Sequence, residues 1–134
     1  MKKKVLKSDK FPGTAGALFS LAVCAGDLVY TAGQVARDLK TGEYLPGGDI
    51  KAQTRKTLEN IKAILEAANT SLDNIIKTTV YIVNWDDYAG MNEVYKEYFH
   101  DNFPARATVQ VARLNHDLKI EIEAVAILPE KRRR

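Results

Sequence analysis

The segment Phe103-Pro104-Ala105-Arg106-Ala107-Thr108-Val109 sets a guanidinium at the mouth of a β-strand pattern, directly after a proline break. An arginine there presents a planar fork of five N–H donors that can grip a carboxylate through two parallel hydrogen bonds. Spacing alone leaves two blander readings open, an exposed arginine or a structural ion pair. Other catalytic patterns are missing. The only serines are Ser8, Ser20 and Ser71, none in a Gly-x-Ser-x-Gly setting, and neither a Walker A loop nor a dinucleotide-binding glycine fingerprint occurs. His100 and His116 are isolated, His116-Asp117 reads as a turn, and no His/Cys cluster has metal-ligand spacing, so no metal site is expected. Cys24, the single cysteine, lies in an apolar run and reads as inert packing.

The elements that must position Arg106 follow from periodicity. Residues 18–25 and 28–33 are apolar runs flanking Gly26-Asp27, a hairpin signal. Residues 33–48 are rich in turn formers and lead to Asp49, a helix N-cap, and a helix is expected over 50–68 with Leu58, Ile61, Ile64, Leu65 and Ala68 on its buried face. Residues 75–83 read as a buried strand. Asp86 and Asp87 are expected to cap a second helix with Tyr88, Met91, Val94, Tyr95 and Tyr98 as its stripe. Two closing strands, 107–114 and 118–128, are expected to pair as a hairpin around Asn115-His116-Asp117, and a short strand can precede Phe11. The order is β-β-α-β-α-β-β, an α+β class. Two helices cover only one face of such a sheet, and the apolar side chains on the other predict packing against another subunit in a closed symmetric oligomer.

Composition narrows the function classes. A chain of 134 residues, 46% apolar and 28% charged, suits one domain with a packed core. The net charge of +3 arises from the ends. Nine of the 20 basic residues lie in 1–10 and 130–134, read as mobile basic ends, leaving 11 against 15 acids in 11–129, a net of −4. An acidic body argues against a nucleic-acid groove. No apolar run approaches membrane-spanning length and no signal-peptide core follows Met1-Lys2-Lys3-Lys4, so a cytoplasmic, membrane-free protein is expected.

Residues 102–114, Asn-Phe-Pro-Ala-Arg-Ala-Thr-Val-Gln-Val-Ala-Arg-Leu, together with Lys119-Ile120-Glu121-Ile122-Glu123-Ala124, closely resemble the signature of the RidA (YjgF/L-PSP) family of reactive-intermediate deaminases. Thr31-Ala32-Gly33-Gln34, residues 53–68, Ile76-Lys77-Thr78-Thr79-Val80 and Met91-Asn92-Glu93-Val94-Tyr95 extend the resemblance over about residues 17–128. The resemblance implies a chorismate-mutase-like fold, a homotrimer around a central β-barrel with clefts between subunits, and hydrolysis of enamines and imines such as 2-iminobutanoate and 2-iminopropanoate to 2-oxoacids and ammonia. It implies no cofactor. By position, Arg106 matches the carboxylate-binding arginine and Glu121 the acid that positions or activates water; Gly33, Thr108 and Asn92 match pocket-lining residues. The pocket also departs from the best-characterised branch. Phe19 stands where a tyrosine is usual, with Leu21 following, Ala32 stands where many members have serine, and Thr108 where some have cysteine. These changes make a drier site with fewer donors.

Imine hydrolysis needs a held substrate, a placed water and proton transfer to nitrogen. If 107–114 and 118–128 form a hairpin, Arg106 faces about residue 126 and Glu121 lies some five rows, roughly 17 Å, away. That gap favours a site completed by a neighbouring subunit. Two other functions remain in view: a non-catalytic sensor of small carboxylates using the same cleft, and a ribonuclease, which the acidic body and lack of a histidine pair oppose.

Overall fold

The computed structural model describes residues 1–129; the basic run 130–134, expected as a mobile end, lies outside the described residues. Six strands and two helices follow in the order β1 (Lys3–Val5), β2 (Ala22–Ala25), β3 (Leu28–Thr31), α1 (Ile50–Ala67), β4 (Ile75–Ile82), α2 (Tyr88–Tyr98), β5 (Ala105–Gln110) and β6 (Ile120–Ile127). The other basic end is not free chain. Its Lys3–Val5 pairs antiparallel with β2, the short strand foreseen before Phe11.

β2 and β3 meet across Gly26-Asp27 with Ala25 opposite Leu28, and Gly26 takes φ +59°, as a two-residue turn of this hand requires. Helix α1 starts where the Asp49 carboxylate accepts the Ala52 amide at 2.9 Å. It ends as Asn69 turns left-handed at φ 68°. Leu58, Ile61, Ile64 and Leu65 are wholly buried, each worth roughly 1.5–3 kcal/mol of apolar burial. Helix α2 begins differently from the expectation. The Asn84 side chain accepts the Asp86 amide at the head of a single 3-10 turn, Trp85–Asp87, while Asp87 makes no side-chain cap. A capping residue must be extended, as Asn84 is (ψ 121°), whereas Asp87 is already helical.

The larger correction concerns the closing strands. The sheet order is β1-β2-β3-β6-β4-β5, so β5 and β6 do not form a hairpin; β4 lies between them, parallel to β5 and antiparallel to β6. Strand β5 also stops at Gln110 rather than 114. Burial explains the order. Ile120, Ile122, Ala124 and Ala126 of β6 are all buried beneath the helices, which suits a central strand, whereas the helix-side residues of β5, Arg106, Thr108 and Gln110, are polar and none is buried, which suits an edge. The connection carries two consecutive left-handed residues, His116 (φ 56°) and Asp117 (φ 55°), as it turns toward β6.

Both helices lie on one face, α1 against β6 and β3, and α2 tied to β4 by a 2.8 Å hydrogen bond between the Thr78 and Tyr95 hydroxyls. The opposite face carries the row Val23, Tyr30, Val125, Lys77 and Ala105, with Tyr30, Ile127 and Val109 all more than a third exposed. The 33–48 connection is lashed to α1. The Asn60 amide donates to the Val35 and Arg37 carbonyls, and Gln53 donates to the Pro46 and Gly48 carbonyls while accepting the Lys119 amide.

Candidate active site

Arg106 lies opposite Thr78 on β4, and Thr78 is buried under the helices, so the arginine leaves β5 on the helix face. Its Nη1 donates to Asn92 Oδ1 at 2.8 Å and its Nη2 to the Tyr88 hydroxyl at 3.1 Å. The guanidinium also stacks 4.8 Å from the centre of the Tyr95 ring. Tyr88, Asn92 and Tyr95 follow one another at four and three residues on α2, which puts all three on one side of the helix. Each of these partners is neutral, and no ion pair among the described residues engages Arg106. The group is oriented without being neutralised. The Asn92 amide and then the Arg106 charge hold the Tyr88 hydroxyl below its ordinary range. Thr108, two residues along β5, faces the same way and is half-buried.

Glu121 belongs to the other face. It pairs with Tyr81 on β4, three rows beyond the Ala124–Thr78–Arg106 level, and its odd offset turns it away from the helices. The bridge between Gln34 and Ile122 brings Gly33 over it so closely that a Cβ on Gly33 would overlap the carboxylate. A side chain at Gly33 would force the Glu121 carboxylate to move aside, with no demand from the backbone angle. Glu121 is half-buried, and burial, followed by the charge of Glu123, pushes its carboxyl above the ordinary glutamate value of 4.5. Beside it opens a cavity of about 280 Å³ with Phe19, Leu21, Ala32, Gly33 and Glu121 in its wall.

The seven residues expected at the site therefore fall into two groups. Phe19, Ala32, Gly33 and Glu121 share the cavity; Asn92, Arg106 and Thr108 sit together on the other face of the sheet. From Arg106 to Glu121 the sheet runs three rows along, about 10 Å, and two strand spacings across, also about 10 Å, so the five-row, 17 Å hairpin estimate is replaced by a diagonal with the sheet itself between the two groups. The bracing role of Tyr88 and Tyr95 escaped sequence reasoning, although their spacing about Asn92 was a usable signal. Arg37 and Tyr44, which also line the Glu121 cavity, lie in a connection without periodicity and gave none. A larger cavity of about 1000 Å³, edged by Lys3, Lys4, Cys24 and Leu128, contains none of the expected site residues; chemistry and not volume points to the smaller one. Among the described residues no helix is long and apolar enough to cross a membrane.

A mixed six-stranded sheet with two helices on one face, an arginine oriented outside any ion pair among the described residues, and a half-buried acid beside a small cavity define an α+β protein with a cation and an acid on opposite faces of its sheet. Known proteins make the class specific. Residues 10–128 match the family model described as endoribonuclease L-PSP. A RutC family protein of Pyrococcus horikoshii is 52% identical over 124 residues, 92% of this chain and 97% of that protein. The 2-iminobutanoate/2-iminopropanoate deaminase of Rattus norvegicus is 40% identical over 125 residues, 93% of this chain and 90% of its own. Among solved structures, E. coli TdcF with bound serine superposes with a TM-score of 0.83 at 42% identity, covering 94% of this chain and 99% of that one. The chain belongs to the RidA/YjgF/L-PSP family of reactive intermediate deaminases.

Proposed function

We propose that this protein hydrolyses small 2-imino acids, of the 2-iminobutanoate and 2-iminopropanoate type, to 2-oxoacids and ammonia, in clefts of a homotrimer that join the Arg106 group of one subunit to the Glu121 cavity of the next. The observation that carries this reading is the division of the site. Arg106, oriented for a carboxylate, has no acid among the described residues paired to it on its own face, and Glu121 lies beside a cavity on the other face whose lining does not include Arg106. The uncovered apolar face around Tyr30, Val109, Val125 and Ile127 supports association through the sheet. The rat relative supports the chemistry, and the serine bound by TdcF supports a small ligand with a carboxylate.

Arg106 holds the substrate carboxylate through its fork, steadied by Asn92, Tyr88 and Tyr95. Water adds to the imine carbon as the nitrogen takes up a proton, giving a carbinolamine. That intermediate collapses: its C–N bond breaks, the hydroxyl proton is lost, the C=O forms, and ammonia departs. Glu121 takes the proton from water as it attacks and returns one to the leaving nitrogen. A carboxyl held above its usual range by burial is better matched to a neutral-pH proton shuttle than an exposed one. The test is a coupled assay in which a threonine dehydratase releases the imino acid. The wild-type protein accelerates ammonia release and Arg106→Ala does not; equal rates in the two contradict the proposal.

A second reading, a sensor that holds 2-oxoacids without turnover, draws on Phe19, which brings a bare ring to the cavity wall, and on Ala32, which lacks a hydroxyl. Calorimetric binding of 2-oxobutanoate together with no acceleration of 2-iminobutanoate hydrolysis selects it.

A further inference from the structure

Arg37 stands in the wall of the Glu121 cavity, and the mechanism above does not use it. Its guanidinium is built into place. Nε donates to the Gly42 carbonyl at 3.0 Å, Nη2 donates to the Gly13 carbonyl at 3.1 Å, and the Tyr44 ring lies 4.5 Å beneath, itself stacked on His116 at 3.8 Å. The backbone of Arg37 is fixed as well, through its bridge to Tyr44 and the Asn60 amide on its carbonyl. None of these partners carries a negative charge opposite it, and no ion pair among the described residues involves Arg37. A half-buried, immobilised cation beside Phe19, Leu21 and Leu39 is an anion site awaiting its anion. Glu121 does not serve: no ion pair joins the two, and Arg37 is not among the groups that shift the Glu121 carboxyl.

The size of the cavity points the same way. In one subunit its volume is about 280 Å³, well beyond what a methyl or ethyl side chain occupies. Something longer fits, with an apolar stem against Phe19, Leu21 and Leu39 and an acceptor at its far end.

We propose that Arg37 is a specificity-determining residue that receives a second carboxylate on the substrate side chain, so that the preferred substrates are dicarboxylic 2-imino acids such as 2-iminosuccinate and 2-iminoglutarate. This rests on the imine-hydrolase reading and deepens it: Arg106 takes the α-carboxylate, Glu121 serves the C=N carbon, and Arg37 reads the far end. The reaction is unchanged, with one water consumed and one ammonia released for each 2-oxo dicarboxylate formed.

The experiment measures calorimetric Kd values for 2-oxoglutarate and 2-oxobutanoate, as product probes, on the full chain and on Arg37→Met and Arg37→Lys, and takes the ratio of the two within each protein so that partial misfolding cancels. The wild-type chain binds 2-oxoglutarate about tenfold more tightly, the increment of one charge-assisted contact. Arg37→Met brings the ratio to about one, and Arg37→Lys, which keeps the charge and loses the fork, falls between. A wild-type ratio of one or less, or an undiminished ratio in Arg37→Met, overturns the role of Arg37. Arg106→Ala tests the reading beneath it separately, because it weakens both ligands together; if it weakens neither, that reading fails whatever the ratio.

Discussion

Arg106 sits on an edge strand and is braced by a helix through three neutral side chains, whereas Glu121 sits on a central strand, under a glycine and beside a cavity. The first arrangement keeps a charge available by surrounding it with groups that orient it without cancelling it. The second keeps a proton available by limiting the water around a carboxyl. Substrate capture and proton transfer ask for these opposite environments, and the fold supplies them on opposite faces of one sheet. On the proposed reaction neither half suffices alone, so the proposal makes the assembly of subunits part of the chemistry.

The comparison ranks the variants. Arg106→Ala removes substrate holding and is expected to lower kcat/KM on the order of 10³-fold, with the melting temperature only modestly lowered, since the Asn92 and Tyr88 groups it leaves are part-exposed and take water in its place. Glu121→Gln is expected to cost on the order of 10²-fold in turnover. It also carries a stability signature of opposite sign. A carboxyl raised in the folded state favours folding below its unfolded pKa and loses that contribution as pH rises through the folded value. The glutamine variant therefore melts higher than wild type near neutrality, and the difference vanishes below about pH 4. A thermal-melt series across pH reads this directly. Gly33→Ala drives a methyl group into the Glu121 carboxylate and is expected to lower kcat by roughly tenfold while leaving Arg106 untouched. The smallest effect belongs to a control away from both halves: Asp49→Ala loses the α1 cap, about 1 kcal/mol in chemical denaturation, with kcat/KM unaltered.

Local features of the chain were legible in its sequence because local chemistry decides them. The Gly26-Asp27 turn, the Asp49 cap, the Leu58 to Leu65 stripe of α1 and the alternation of β6 each follow from neighbours within a few residues. The place of β6 did not follow, because its insertion between β3 and β4 is settled by pairing with strands distant in sequence, the nearest pair being Ile82 with Ile120, 120 − 82 = 38 residues apart. The hairpin expectation failed for that reason and took the Arg106–Glu121 geometry with it. Arg106 and Glu121 were picked out only by the family resemblance, while spacing alone left the arginine open to a structural reading. Arg37 was not recognisable, since nothing in residues 33–48 shows that Gly13 returns to meet it.

Mixing two inactive chains tests the shared cleft most directly. Arg106→Ala and Glu121→Gln subunits are unfolded together, refolded at equal concentration and assayed for 2-iminobutanoate hydrolysis beside each parent alone. With each cleft built from two neighbours, random assembly leaves about one cleft in four with both wild-type groups, so activity returns to about a quarter of wild type. Activity no greater than the mean of the two parents, in a sample whose hybrid oligomers are verified by mass, places both groups in one subunit and contradicts the account.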